Sequence, residues 1–205
     1  MVRAVHSSYD STSGTWLRGN LHAHSTNSDG EKTPPGLIQT YREMGYDWFC
    51  ISDHDFLTPR PEALPHDAVF LPANEVSANG PHILHVGADR VLDPDPDRAS
   101  VARKIADSGG LCILNHPNWG KDCNHWPQEG LESMPRYDGI EVYNAVIRRL
   151  EGSPLATDRW DRLLSQGIRV WGYANDDAHR RGDYGHAWNA VSSVNRQPDG
   201  VLQGL

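Results

Sequence analysis

Short apolar runs alternate along this chain with amphipathic stretches, and turn residues separate the two. The runs at 17–24 (LRGNLHAH), 47–52 (DWFCIS), 68–74 (AVFLPAN) and 82–87 (HILHVG) read as strands. So do 111–114 (LCIL), 138–144 (DGIEVYN), 168–174 (IRVWGYA) and 187–194 (AWNAVSSV). Between them, 34–45, 98–108 and 154–166 carry helical spacing. Thr33 stands as N-cap of the first helix and Gly45 just past its end, while Gly109-Gly110 stop the second. Ser153 as cap, Pro154 in the first turn and Gly167 past the end frame the third. Strands alternating with helices predict an α/β fold built on a parallel sheet or barrel. The polar, Ser-rich residues 1–15 read as a loose arm, and 16–205 as one domain, a size that suits a single core. The closing QPDGVLQGL begins a further helix.

Eleven histidines make the second constraint. His22 and His24 end the first strand, and residues i and i+2 of a strand share a face, so the two can bind one ion together. His54 follows the second strand in SDHD and Glu75 the third in NEVS. His116 follows LCILN, and Asp177 and His179 follow IRVWGYA. In parallel α/β folds this edge is where sites are built. The convergence predicts a metal site. Its mixture of imidazoles and carboxylates suits Zn, Mn or Fe, whereas structural zinc sites are closed, four-coordinate and usually Cys-rich. His6, His66, His125 and His186 lack such patterned partners and read as ordinary polar residues. Trp119, Trp126 and Trp188 read as core or rim, and Ser25 lacks the G-x-S-x-G setting of a nucleophile.

Charge narrows the classes further. The net charge of −8 disfavours an extended nucleic-acid surface. The apolar runs are too short to cross a membrane, and no apolar signal core opens the chain. Cys50, Cys112 and Cys123 show no paired spacing, which fits a reducing cytoplasm.

At these residues the sequence resembles the polymerase-and-histidinol-phosphatase (PHP) superfamily. NLHAHSTNSDG (20–30), SDHD (52–55), NHP (115–117) and DDAH (176–179) match its motifs in order, and NEVS and DGIEVYN fit between them. GYDWFCISDHD and NHPNWG look most like the branch of small metallohydrolases that includes carbaryl-hydrolase-type enzymes. The resemblance implies a distorted seven-stranded barrel carrying two or three divalent ions. Carried over, His22, His24, Glu75 and Asp177 hold the first ion. Glu75 bridges to a second, held also by His82 and His116. Asp29, His54 and His179 hold a third. His82 is preferred to His85, because the two face opposite sides of a strand.

The chemistry expected of such a cluster is hydrolysis. A water shared by two cations loses its proton near neutral pH and can attack phosphorus in line. His54 or His179 is the expected acid for the leaving oxygen. Asp53 is expected to orient a ligand histidine or to cap a turn, Asp176 and Glu141 to stand behind the ligands or to face substrate, and Arg180, Arg181, Asn144 and Asn118 are the expected substrate contacts. The expectation is thus a metal-dependent phosphoesterase acting on a small phosphate mono- or diester. A carboxyl-ester or carbamate hydrolase on the same cluster and a non-catalytic metal-binding accessory domain are its rivals.

Overall fold

The computed structural model describes residues 14–62, 64 and 67–205. The arm expected over 1–15 lies mostly outside them, as do His6 and His66; Thr15 already belongs to a strand. The strands are β1 (Thr15–Asn20), β2 (Trp48–Ile51), β3 (Val69–Val76), β4 (Ile83–Val86), β5 (Leu111–Leu114), β6 (Gly139–Asn144), β7 (Trp171–Asn175) and β8 (Asn189–Ser193). The helices are α1 (Pro34–Glu43), α2 (Arg98–Asp107), α3 (Gln128–Ser133), α4 (Thr157–Ser165) and α5 (Pro198–Gly204), with a 3-10 turn over Ala145–Arg149. Neither α3 nor the 3-10 turn is visible as a periodic stretch in the sequence.

Among the described residues one eight-stranded sheet runs in the order β7-β6-β5-β4-β3-β2-β1-β8 and curls into a nearly closed barrel. The eight strands read from the sequence are all present, one more than the seven that the resemblance implies, and β8 pairs antiparallel with β1. β4 is also antiparallel to both neighbours, a departure from the all-parallel expectation. The cause is local: only residues 77–82 join β3 to β4, which suffices for a hairpin and is too short for a crossover. Reversal brings the start of β4 to the rim where β1, β2, β3, β5, β6 and β7 end.

Side-chain amides complete the seam between β7 and β8. Asn189 Oδ1 accepts from the Ala174 N–H at 3.0 Å, while its Nδ2 donates to the Ala174 carbonyl at 3.0 Å. One asparagine thereby imitates a strand partner for one residue of the opposite edge.

Alternation along the strands sorts the core. Trp48, Cys50, Leu84 and Val86 fill the barrel interior with Leu17, Leu71, Ile113 and Val191. Phe49 and Ile51 face outward onto Leu37, Ile38 and Tyr41 of α1. α5 closes the end of the barrel opposite the rim: Val201 joins the interior cluster, and Tyr173 Oη donates to the Leu205 carbonyl at 2.7 Å. Cys50 and Cys112 are buried free thiols. No helix of the described residues is long and apolar enough to cross a membrane.

Two local expectations are corrected. The first strand stops at Asn20 instead of running to 24; beyond it Ala23 bridges Ala178, and Asp177 N–H donates to the His22 carbonyl at 2.9 Å. α4 starts at Thr157, after Ala156, and not at Ser153-Pro154. Residues 154–156 are drawn instead onto the edge of β6, where Asn144 N–H donates to Pro154 O and Ala156 N–H to Val142 O, each at 2.9 Å.

Candidate metal centre

The rim gathers seven imidazoles and two carboxylates, Asp29 and Asp177, about Glu75, which is fully buried at the end of β3. Glu75 Oε1 lies 3.4 Å from His22 Nε2, 3.1 Å from His82 Nδ1 and 3.2 Å from His116 Nε2. Its Oε2 lies 2.9 Å from His54 Nδ1 and 3.6 Å from His24 Nε2. Asp177 Oδ1 stands between the first two histidines, 3.2 Å from His22 Nε2 and 3.0 Å from His24 Nε2. Asp29 Oδ2, on the exposed side, lies 3.7 Å from His54 Nε2 and 3.4 Å from His179 Nε2.

Each side chain arrives by a distinct device. His22 and His24 follow β1, and His54 follows β2, where it bridges Glu75 of β3. His82 precedes β4, so its place depends on the reversal of that strand. His116 and Asp177, past β5 and β7, both adopt left-handed backbone, with φ of 32° and 51°. Non-glycine residues rarely sit there, and such strain gathers at functional sites.

The donors fit divalent cations. Imidazole nitrogens and carboxylate oxygens converge in four groups with ligand spacing: His22, His24 and Asp177; His54, Glu75 and His82; His24, Asp29, His54 and His179; and His82, His116 and His125. His22 Nε2 and His116 Nδ1 are buried without a hydrogen bond from the described residues. A buried polar atom left unpaired is costly, and a cation would satisfy the first of these between Glu75 and Asp177.

A further layer of hydrogen bonds aims the candidate ligands. Glu141 Oε1 accepts from His22 Nδ1 at 2.8 Å, and its Oε2 from the His116 N–H at 2.8 Å. Asn115 Nδ2 donates to Glu75 Oε1 at 2.6 Å. Asn144 Nδ2 donates to Glu141 Oε2 and Asp177 Oδ2. His179 Nδ1 lies 2.8 Å from the Asp177 carbonyl, a contact that as a donor leaves Nε2 to the cavity.

Electrostatics follow the same map. Burial would raise the Glu75 pKa, but the charges of His22 and His82 and the hydrogen bond from His116 hold it well below the usual range. Asp177 is likewise held low against its burial by His22 and His24. Burial would depress His179, but Asp29 and Asp177 raise it to about 9. Burial first, then His116 and His82, lower His125 and favour a neutral ring.

Several expected residues lie elsewhere. Asp53 makes no hydrogen bond to a histidine of the cluster among the described residues. It accepts from Ser25 N–H and Oγ at 2.7 and 2.6 Å, from Ser28 Oγ at 2.7 Å and from Thr58 Oγ1, and so pins the loop that carries Asp29. Asn144 is spent on Glu141 and Asp177. Asn118 is spent on Leu155 O, Asp158 and Arg159. Asp176 turns away to Tyr41 and the amides of residues 185–187. Arg180 and Arg181 do not line the cavity above the cluster; Arg181 lines a separate cleft with Lys32 and Glu43. His85 points outward beside Ser108 Oγ at 3.3 Å.

That cavity, about 290 Å3, is walled instead by Trp119, Val146, Ile147, Arg149 and Leu150. His125, which reads in the sequence as an ordinary polar residue, joins the cluster instead: its ring centroid is 4.8 Å from that of His82 and 4.7 Å from that of His116. Its only sequence signal is proximity to the NHP motif. Arg149, adjacent to Arg148 in a basic pair, carries no signal at all.

No protein-family profile matches this sequence, and no curated protein does. Solved structures share the fold. A two-domain protein from Bacteroides vulgatus, described as containing a predicted PHP-like metal-dependent phosphoesterase, aligns with a TM-score of 0.69 at 19% identity over 94% of this chain and 63% of that one. The chain therefore spans less than two thirds of that protein. A sulfate-bound, metal-free amidohydrolase from Chromobacterium violaceum aligns with a TM-score of 0.56 at 15% identity, over 83% of this chain and 90% of that one. A protein from Bifidobacterium adolescentis, assigned as a metal-dependent phosphoesterase, gives 0.62 at 16% identity, over 91% and 95%. The fold is thus the distorted (β/α) barrel that PHP-like proteins adopt.

Proposed function

We propose that this chain is a metal-dependent hydrolase of the PHP kind, acting as a phosphoesterase on a small substrate. The observation that carries the reading is Glu75, whose two oxygens together face five histidine nitrogens, an arrangement suited to a carboxylate shared between neighbouring ions. His22, His24, Glu75 and Asp177 are assigned to one ion, and Glu75, His82 and His116 to a second. Asp29, His54 and His179 are assigned to a third. The phosphoesterase descriptions of two fold neighbours support the same reading.

When bound, the cations supply Lewis-acid polarisation of the ester and acidify the attacking water. The chain's own residues do the rest. Glu141 fixes His22 with Nε2 inward. The Asp177 carbonyl does the same for His179, whose Nε2 then faces the cavity. With two ions bound, His54 and His179 are free to carry a proton to the leaving oxygen at Nε2; with three, they serve as ligands. Asp53 keeps the Asp29 loop against this edge.

A carboxyl-ester or carbamate hydrolase is the second reading, favoured by the apolar wall of Trp119, Val146, Ile147 and Leu150. A hydrolysis panel on manganese- or zinc-loaded protein separates the two. Turnover of p-nitrophenyl phosphate or bis-p-nitrophenyl phosphate, abolished by His116→Ala, is the expected result. Turnover of p-nitrophenyl acetate alone would select the second reading. Silence on all three with metal bound would favour an accessory metal-binding role.

A further inference from the structure

We propose that Arg149 is the anion-recognising residue of the cavity, and that it works with the apolar wall to select a singly charged phosphodiester bearing an apolar or aromatic group. This rests on the phosphoesterase reading and names its substrate class.

Among the described residues, Arg149 is the one Lys or Arg side chain lining the cavity over the cluster. Its Nε and Nη2 donate to Asp183 Oδ1 and Oδ2 at 2.9 and 2.8 Å, a two-point pairing that fixes the plane of the guanidinium. Nη1 keeps no hydrogen-bond partner among the described residues, which leaves it for a ligand. Asp183 is itself nearly buried, and its Oδ2 accepts from the N–H groups of His179 and Arg180 at 3.2 and 3.1 Å. The guanidinium is thereby tied to the turn that delivers Asp177 and His179. The charge of Asp177 is also among those felt at Arg149.

Charge and shape then define the ligand. Asp183 offsets the charge of Arg149, so beyond the cations this wall supplies one directed donor and little net positive charge. A phosphate monoester dianion calls for more cationic contacts than that; a diester carries a single charge. Val146 and Ile147, on the same 3-10 turn as Arg149, join Leu150 and Trp119 in a surface that can take the diester's organic substituent. A volume of about 290 Å3 limits that substituent to about the size of one ring. Hydrolysis would form one P–O bond from water and break the P–O bond to one alcohol. The products are that alcohol and a phosphate monoester, with one proton released to solvent.

The test is calorimetric binding to the manganese-loaded protein with two inert probes. Methylphenylphosphinate is a singly charged, one-ring mimic of a diester, and phenylphosphonate is a one-ring mimic of a monoester dianion. Wild type is expected to bind the phosphinate more tightly. Arg149→Gln should weaken that binding about tenfold or more, the usual loss for a charged hydrogen bond, with metal content unchanged. Arg149→Lys, which keeps the charge and one contact to Asp183, should fall between. The proposal is overturned if Arg149→Gln binds the phosphinate as wild type does, or if wild type prefers the phosphonate. The wild-type preference needs no variant, so misfolding of Arg149→Gln would leave the proposal testable. Binding that depends on Arg149 without turnover of any phosphate ester would overturn the phosphoesterase reading and keep the Arg149 assignment. Phosphate-ester turnover with binding indifferent to Arg149 would do the reverse.

Discussion

Glu141 Oε1 lies 2.8 Å from His22 Nδ1, and both side chains are wholly buried. A carboxylate behind a ligand imidazole selects its tautomer and strengthens it as a donor. Glu141 does this for His22 while its other oxygen fixes the backbone of His116, a ligand assigned to a different ion. Glu141→Gln should therefore lower metal affinity about 10- to 100-fold, as loss of such outer partners does elsewhere. Equilibrium dialysis against manganese would show it; unchanged affinity would remove Glu141 from this role.

Replacing Glu75 should have a larger and different effect. Because its two oxygens face five histidines, Glu75→Ala should cost at least two ions and nearly all activity. Elemental analysis of the purified variant decides this, and full metal content would contradict the shared-carboxylate assignment.

His82 and His85 form an internal comparison across one strand, His82 at the cavity and His85 on the outer face. His82→Ala should lose metal, and His85→Ala should not. His85 instead affects stability. Burial lowers its pKa from the usual 6.5 to about 4. Between those values the unfolded chain binds a proton that the folded chain refuses, so stability falls as the pH drops through that window. The slope from this residue reaches about 1.4 kcal/mol per pH unit. In urea titrations with chelator present, His85→Gln should flatten the acid-side decline by that amount. Identical slopes in both proteins would refute the assignment.

The tight loop after His24 also makes a prediction. Gly30 lies against the His24 carbonyl, and a Cβ there would overlap it. Gly30→Ala should cost about 1–3 kcal/mol, in the range of other overpacking changes. It should also weaken the site formed by Asp29, His54 and His179 more than the one formed around His22. Thermal melts with stepwise metal titration would reveal both effects; a variant that melts and loads as wild type does would show that the loop has slack.

The H-x-H of 22–24, His54, His116 and the D-x-H of 177–179 were legible in the sequence because the rules that place them are local. A short apolar run bounded by turn residues marks a strand, and its end marks the rim. The same locality left Asp53 open between orienting a histidine and holding a turn, and made Arg180 misleading: adjacency to a motif says nothing of where a side chain turns. Asp53 spends its oxygens on residues 25, 28 and 58, and Arg180 stays outside the cavity.

The residue types gathered at the rim, their order and the α/β alternation were thus determined by the sequence itself, through backbone periodicity and turn chemistry. Only the tertiary structure decided the reversal of β4, the closure by Asn189, the approach of His125 and the pairing of Arg149 with Asp183. Each of these joins segments well apart in the chain or depends on how a short connection packs. Such contacts exist only once the barrel has formed, because no local preference aims one side chain at a partner 34 residues away.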